Sequence, residues 1–167
     1  MKLRGLAAAG VFAIAAVQAA WASDWVRFGD ASVGFEGLFP AAPEISTDNS
    51  DGITMKSYAS AVEGVMCFVG ISDYKAIPSV EAELQADRDN FAAGVKAKVT
   101  SSTSTTFAYG DKALPAIAFD AESAEMRFRS IALVDGLRVA QVVGAVAKGA
   151  GDDAPLDRCV KSFKLLP

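Results

Sequence analysis

After an apolar stretch that runs from Gly5 to Val17, hydrophobic and polar positions settle into a period of two. WVRFGD and VGFEGLF read as two short strands, with Phe28, Val33, Phe35 and Phe39 as inward positions and Gly29 and Asp30 as turn residues between them. Pro40 ends the second strand because it supplies no amide hydrogen to a ladder, and Pro43 keeps the next segment extended. EISTDNSDGITMKSYASAVEG predicts two strands around a turn at DNSDG. VMCFVGISDY is almost continuously apolar, which suits a strand covered on both faces. The period then lengthens. From Ser79 to about Lys96, the positions Val80, Leu84, Asp87/Arg88, Phe91 and Val95 recur every three to four residues. Ser79 stands as N-cap behind Pro78, and Glu81 and Glu83 lie in the first turn, where the helix dipole favours them. This predicts a helix. TSSTSTTFAYGDKAL reads as a Thr/Ser-rich strand and a loop, followed by strands over PAIAFDAE, EMRFRSIALV and LRVAQVVGAV, the last two joined at Asp135-Gly136. GAGDDAPLDRCVKSFKLL predicts a closing helix capped by Asp152 or Asp153. Pro155 falls in its first turn, and Leu156, Cys159, Val160 and Phe163 share one face.

A strand meander, a helix, a second group of strands and a terminal helix together predict an α+β fold in which helices cover an antiparallel sheet. No linker or repeat divides the segment 23–167, so a single domain is expected.

The N-terminal stretch adds a destination. Lys2 and Arg4 precede the apolar run, and Ala20-Trp21-Ala22 is a small-x-small cleavage pattern, so residues 1–22 read as a secretory signal peptide with cleavage after Ala22. Gln18 interrupts the run short of the roughly 20 apolar residues that a spanning helix needs. The expected mature chain is exported, periplasmic or extracellular, without a membrane span. Loss of Lys2 and Arg4 takes the basic count from 16 to 14 against 20 acidic side chains, a formal charge of −6. Such a chain repels nucleic acid and anionic lipid.

The chain has no histidine, which excludes Ser-His-Asp and Cys-His nucleophiles and most zinc sites. Its two cysteines, Cys67 and Cys159, stand too far apart for a Cys-x-x-Cys motif. Both fall on apolar faces, and an exported chain meets an oxidising compartment. A disulfide and a pair of buried thiols both remain open. Glu81, Glu83, Asp87 and Asp89 crowd one helix in the manner of a solvated face. TDNSDGIT fails the calcium-loop spacing, since counting back from Gly52 puts Tyr58 where the bidentate Glu belongs. Arg127 and Arg129 alternate with Met126 and Phe128 and so emerge on one strand face. They are candidate contacts for an anionic ligand or partner, against the alternative of pairing with Glu122, Glu125 or helix carboxylates. Lys56-Ser57 and Lys161-Ser162 are adjacent pairs for Ser-Lys chemistry, although neighbours in a strand point to opposite faces. No catalytic residue, metal ligand or cofactor is expected.

The run FEGLFPAAP with Tyr58 and Tyr74, the helix ELQADRDNFAAGV, then AYGDKALPAIAF, RFRSIALVDGLRVAQVV and CVKSFKLL resemble small exported bacterial proteins of the PsbP-like superfamily. The resemblance spans nearly the whole mature chain and departs from the family at Gly37 and in the polar TSSTSTT stretch. It implies an αβα sandwich and an auxiliary or protein-binding role rather than a reaction. The functional expectation is accordingly an exported binding or auxiliary domain whose partner is an envelope protein. A carboxylate-based or Ser-Lys hydrolase of the cell envelope is the alternative.

Overall fold

A computed structural model describes residues 24–50 and 52–167. The expected signal peptide, residues 1–22, lies outside them. The described residues build ten strands and two helices. β1 (Val26–Asp30), β2 (Phe35–Phe39), β3 (Glu44–Ser50), β4 (Ile53–Val62) and β5 (Val65–Asp73) precede α1 (Val80–Gly94). Then come β6 (Lys98–Tyr109), β7 (Lys112–Glu122), β8 (Met126–Asp135), β9 (Arg138–Ala147), α2 (Ala154–Ser162) and β10 (Lys164–Leu165). Seven strands form one antiparallel sheet in the order β3-β4-β5-β9-β8-β7-β6. The other three form a small sheet in the order β1-β2-β10.

The expectation of an α+β, helix-covered αβα sandwich is corrected here. Strands take up 57% of the structure and helices 17%, and the second layer is itself a sheet. Two causes account for the difference. Pro40 and Pro43 separate β1 and β2 from the large sheet, so their alternating pattern builds a layer of its own, closed when β10 pairs Lys164 with Glu36 and Leu165 with Phe35. In addition, the expected loop after TSSTSTT is only the two-residue turn Gly110-Asp111, with Tyr109 opposite Lys112, so the flanking segments are long strands. Gly110 takes φ +56°, the left-handed value such a hairpin turn demands.

Each helix covers part of one sheet face. Ser79 caps α1 as expected, accepting the Ala82 amide at 3.2 Å. Leu84 packs on Ile117 and Phe119, with Phe91 against Phe119 and Phe128 at ring separations of 5.8 and 5.4 Å. The opposite face carries Cys67, Val69 and Ile71 of β5, Ala140 and Val142 of β9, and Leu133 of β8 beneath α2 and the small sheet. Gly144 is what lets α2 lie so close: a Cβ there would meet the Leu156 backbone at 2.8 Å.

Cys67 and Cys159 are joined in a disulfide, with Cα atoms 5.7 Å apart and 92 positions between them. Both are buried. Closing so long a loop restricts the unfolded chain and stabilises the fold by about 4 to 5 kcal/mol in the chain-entropy account. A second tie joins the sheets. Tyr58, fully buried on β4, donates to Asp30 of β1 at 2.7 Å, and Lys56 pairs with the same carboxylate at 2.6 Å. Lys56, Ser32 and Tyr58 hold the Asp30 carboxyl well below the usual range, while burial pushes the Tyr58 phenol up to about 12. Phe35 packs edge-on against Tyr58 at 4.7 Å. Among the described residues, no helix is long and apolar enough to cross a membrane.

Candidate functional site

The 12-residue strand β6 forms one edge of the large sheet, and among the described residues nothing pairs with its outer side. Tyr109 and Lys112 flank a two-residue turn and therefore form a hydrogen-bonded pair. Alternation then assigns the backbone groups of Phe107, Thr105 and Thr103 to β7, and those of Ala108, Thr106, Ser104 and Ser102 to the outside. A bulge beside Thr100 and the charge of Lys98 protect one end of this edge. From Ser101 to Tyr109 it carries neither a charge nor a proline. The opposite edge, β3, is shorter at seven residues and bears Glu44 and Asp48.

Beside β6 lies a groove of about 500 Å³ between the first turns of α1 and the sheet. Val80, Leu84, Pro115 and Ile117 form its apolar lining, with Glu81 and Ser104 among its polar groups. Ser104 faces this side because it pairs with Ile117, which packs under Leu84. One turn further along the helix, Arg88 donates to the Ser102 hydroxyl at 3.0 Å and ties α1 to the strand.

On the other flank of α1, a polar cavity of about 210 Å³ is lined by Asp48, Ser72, Tyr74, Asp87 and Gln141 with Met55. Asp87 projects from the buried side of the helix, and its Oδ2 is shielded from solvent with no hydrogen-bond partner among the described residues. Burial, reinforced by Glu83, pushes its carboxyl up to about 6. Burial and then Glu83 also raise the Tyr74 phenol. The crowded helix carboxylates thus divide. Glu81 is a solvated side chain as the pattern suggested, whereas Asp87 sits on the i, i+4 face that also carries Leu84 and Phe91, a position from which its burial was readable.

Arg127 and Arg129 do emerge on one face, and both are committed to carboxylates. Arg127 pairs with Asp153 and also donates to the Gly151 carbonyl at 3.3 Å. Arg129 pairs with Asp120 at 2.9 Å and Asp157 at 2.6 Å. These acids belong to β7 and to the start of α2 rather than to Glu122 or Glu125, and Glu122 pairs with Lys148 instead. Asp120 and Asp157 hold the Arg129 guanidinium firmly protonated. The pair fastens α2 to the sheet.

The Ser-Lys pairs are not assembled. Lys56 turns to Asp30 while Ser57 bonds Ser46 across β3 at 2.7 Å. Lys161 pairs with Asp157, and the Ser162 hydroxyl donates to the Cys159 carbonyl while accepting the Leu38 amide. The cysteines are consumed in the buried disulfide. Within TDNSDGIT, Ser50 and Asn49 of β3 stand opposite Ile53 and Thr54 of β4. The β6 edge did leave a trace in the sequence: a strand as polar as TSSTSTT on both faces suits an edge better than a place among central strands. No family model matches the chain, and no curated protein is similar to it.

Proposed function

We propose that the protein is an exported, disulfide-locked binding domain that docks an extended segment of another polypeptide on the outer edge of β6 and performs no chemistry of its own. The observation that carries this reading is the edge itself: nine uncharged residues in unbroken register with β7, backbone groups directed outward, and an apolar groove alongside. Strand addition draws its affinity from such a row of main-chain donors and acceptors. The disulfide accords with an oxidising destination, and the signal-like residues 1–22 supply the route there. The resemblance to PsbP-like proteins belongs to the same proposal through the auxiliary role it implies, and an envelope protein is the proposed partner.

The test is site-specific crosslinking in cells. A photoreactive residue replacing Thr105 on β6 gives a discrete adduct in the envelope fraction, the same residue replacing Thr47 on β3 gives none, and Thr106→Pro removes the adduct. Equal adducts from both edges, or none from Thr105, overturn the reading.

A further inference from the structure

We infer that the groove between α1 and β6 selects the docked segment by one apolar anchor side chain with a basic residue two positions before it. This rests on the strand-addition reading of β6 and adds to it a sequence preference.

The pleat makes the two features one site. Residues directly opposite each other in paired strands send their side chains to the same face. Ser104 and Thr106 turn their backbone groups outward and their side chains toward the α1 face. A residue of an added antiparallel strand that sits opposite Ser104 therefore sends its side chain over the groove. Its neighbours along that strand point to the opposite face, and its next-but-one neighbours return to the groove side.

The chemistry of the lining specifies what enters. Val80, Leu84, Pro115 and Ile117 offer only apolar surface to the middle of the groove, so an aliphatic or aromatic side chain gains by burial there and a carboxylate loses. At the groove, Glu81 accepts from Gln85 at 3.3 Å and has no ion pair among the described residues. Glu83 of the same turn belongs to the other flank of α1, beside Tyr74 and Asp87. A Lys or Arg two positions before the anchor, opposite Thr106, lies on the Glu81 side of the groove and away from Arg88, and the formal charge of −6 on the segment 23–167 favours the same sign of partner. The Arg88 to Ser102 bond closes the groove one turn beyond, which leaves room for a single anchor rather than a row.

The experiment uses synthetic heptapeptides Thr-Lys-Thr-Xaa-Thr-Lys-Thr, with Xaa as Ala, Leu, Phe or Asp, titrated by fluorescence anisotropy into the chain starting at Ser23. Alternation puts Xaa and both lysines on one face. Leu and Phe peptides bind roughly tenfold more tightly than Ala, Asp more weakly, and glutamate in place of the first lysine weakens every peptide. Two exposed positions give the variants. Ser104→Phe fills the groove and abolishes the preference of Leu over Ala while the Ala peptide still binds. Thr106→Pro removes an outward amide that β7 does not use and abolishes binding of all peptides. Circular dichroism melts check that both variants remain folded. If Thr106→Pro abolishes binding but the guest residue makes no difference, the anchor inference fails and strand addition stands. If Thr106→Pro leaves binding unchanged, strand addition itself fails. A dimer of the chain that Thr106→Pro dissociates puts a second copy on the edge and overturns the assignment to another polypeptide.

Discussion

The two faces of the seven-stranded sheet are built to different standards. Under α2 and the small sheet, apolar side chains are sealed and the polar groups are matched: Tyr58 and Lys56 to Asp30, Ser162 to Leu38 and Cys159, Arg129 to Asp120 and Asp157, with a covalent bond across the middle. Under α1, an equally apolar centre around Leu84, Phe91 and Phe128 is flanked on one side by a groove and on the other by a cavity holding an unpartnered carboxyl. A buried carboxyl without a partner destabilises. The first face holds the disulfide and the matched polar groups, and the second leaves an unpartnered carboxyl and an open groove beside an unpaired strand edge.

The sharpest way to break this contrast is to cut the disulfide. Replacing Cys67 and Cys159 together by alanine lowers the unfolding free energy by about 4 kcal/mol, read from urea denaturation of the unreduced protein. A loss below about 1 kcal/mol would show that the α2 face does not depend on the link.

Asp87 probes the other face through pH. The unfolded chain releases the Asp87 proton near 3.8 and the folded one holds it to about 6. Between those values the fold binds more protons than the unfolded state, so its stability falls as pH rises through that window and is level above it. The span corresponds to at most about 3 kcal/mol. Denaturation midpoints measured from pH 4 to 7 therefore decline for the native sequence and flatten in Asp87→Asn. An unchanged slope in the variant would place the titrating group elsewhere.

Smaller effects sharpen the picture. Arg127→Gln with Arg129→Gln loosens α2 from β8 and costs about 1 to 2 kcal/mol, because several half-buried charges share one network. Thermal melts in low and high salt should converge for this variant. Ser79→Ala removes the cap of α1 and costs about 1 kcal/mol. Hydrogen exchange should locate the loss in the first turn of α1, with α2 unaffected.

Much of this was legible residue by residue, and what was not has a common cause. The bounds of α1 followed from Ser79 and the spacing of Val80, Leu84 and Phe91, because caps and periods are local. Phe28, Phe35 and Phe39 were recognisable as inward positions, and all three lie in the aromatic cluster around Tyr58. Their sheet was not recognisable. A period of two tells which way a side chain faces and nothing about which strand lies beside it, and the partner that completes β2 is β10, at the far end of the chain. The same limit hid the edge position of β6, although its composition hinted at it. Asp87 was visible on the apolar face of its helix and was nonetheless grouped with its solvated neighbours, since composition weighs all carboxylates alike and burial does not.

The placement of the disulfide has a consequence for molecular integrity. It encloses everything between Cys67 and Cys159, and the exposed hairpin tip at Gly110-Asp111 falls inside that ring. A peptide bond hydrolysed there opens the ring without releasing a fragment. The nicked molecule stays one covalent species, heavier by a single water, until a reductant separates it into two pieces, and hairpin tips are where such cuts are preferentially made. One cleavage at that exposed tip beside the β6 edge therefore leaves the domain covalently linked.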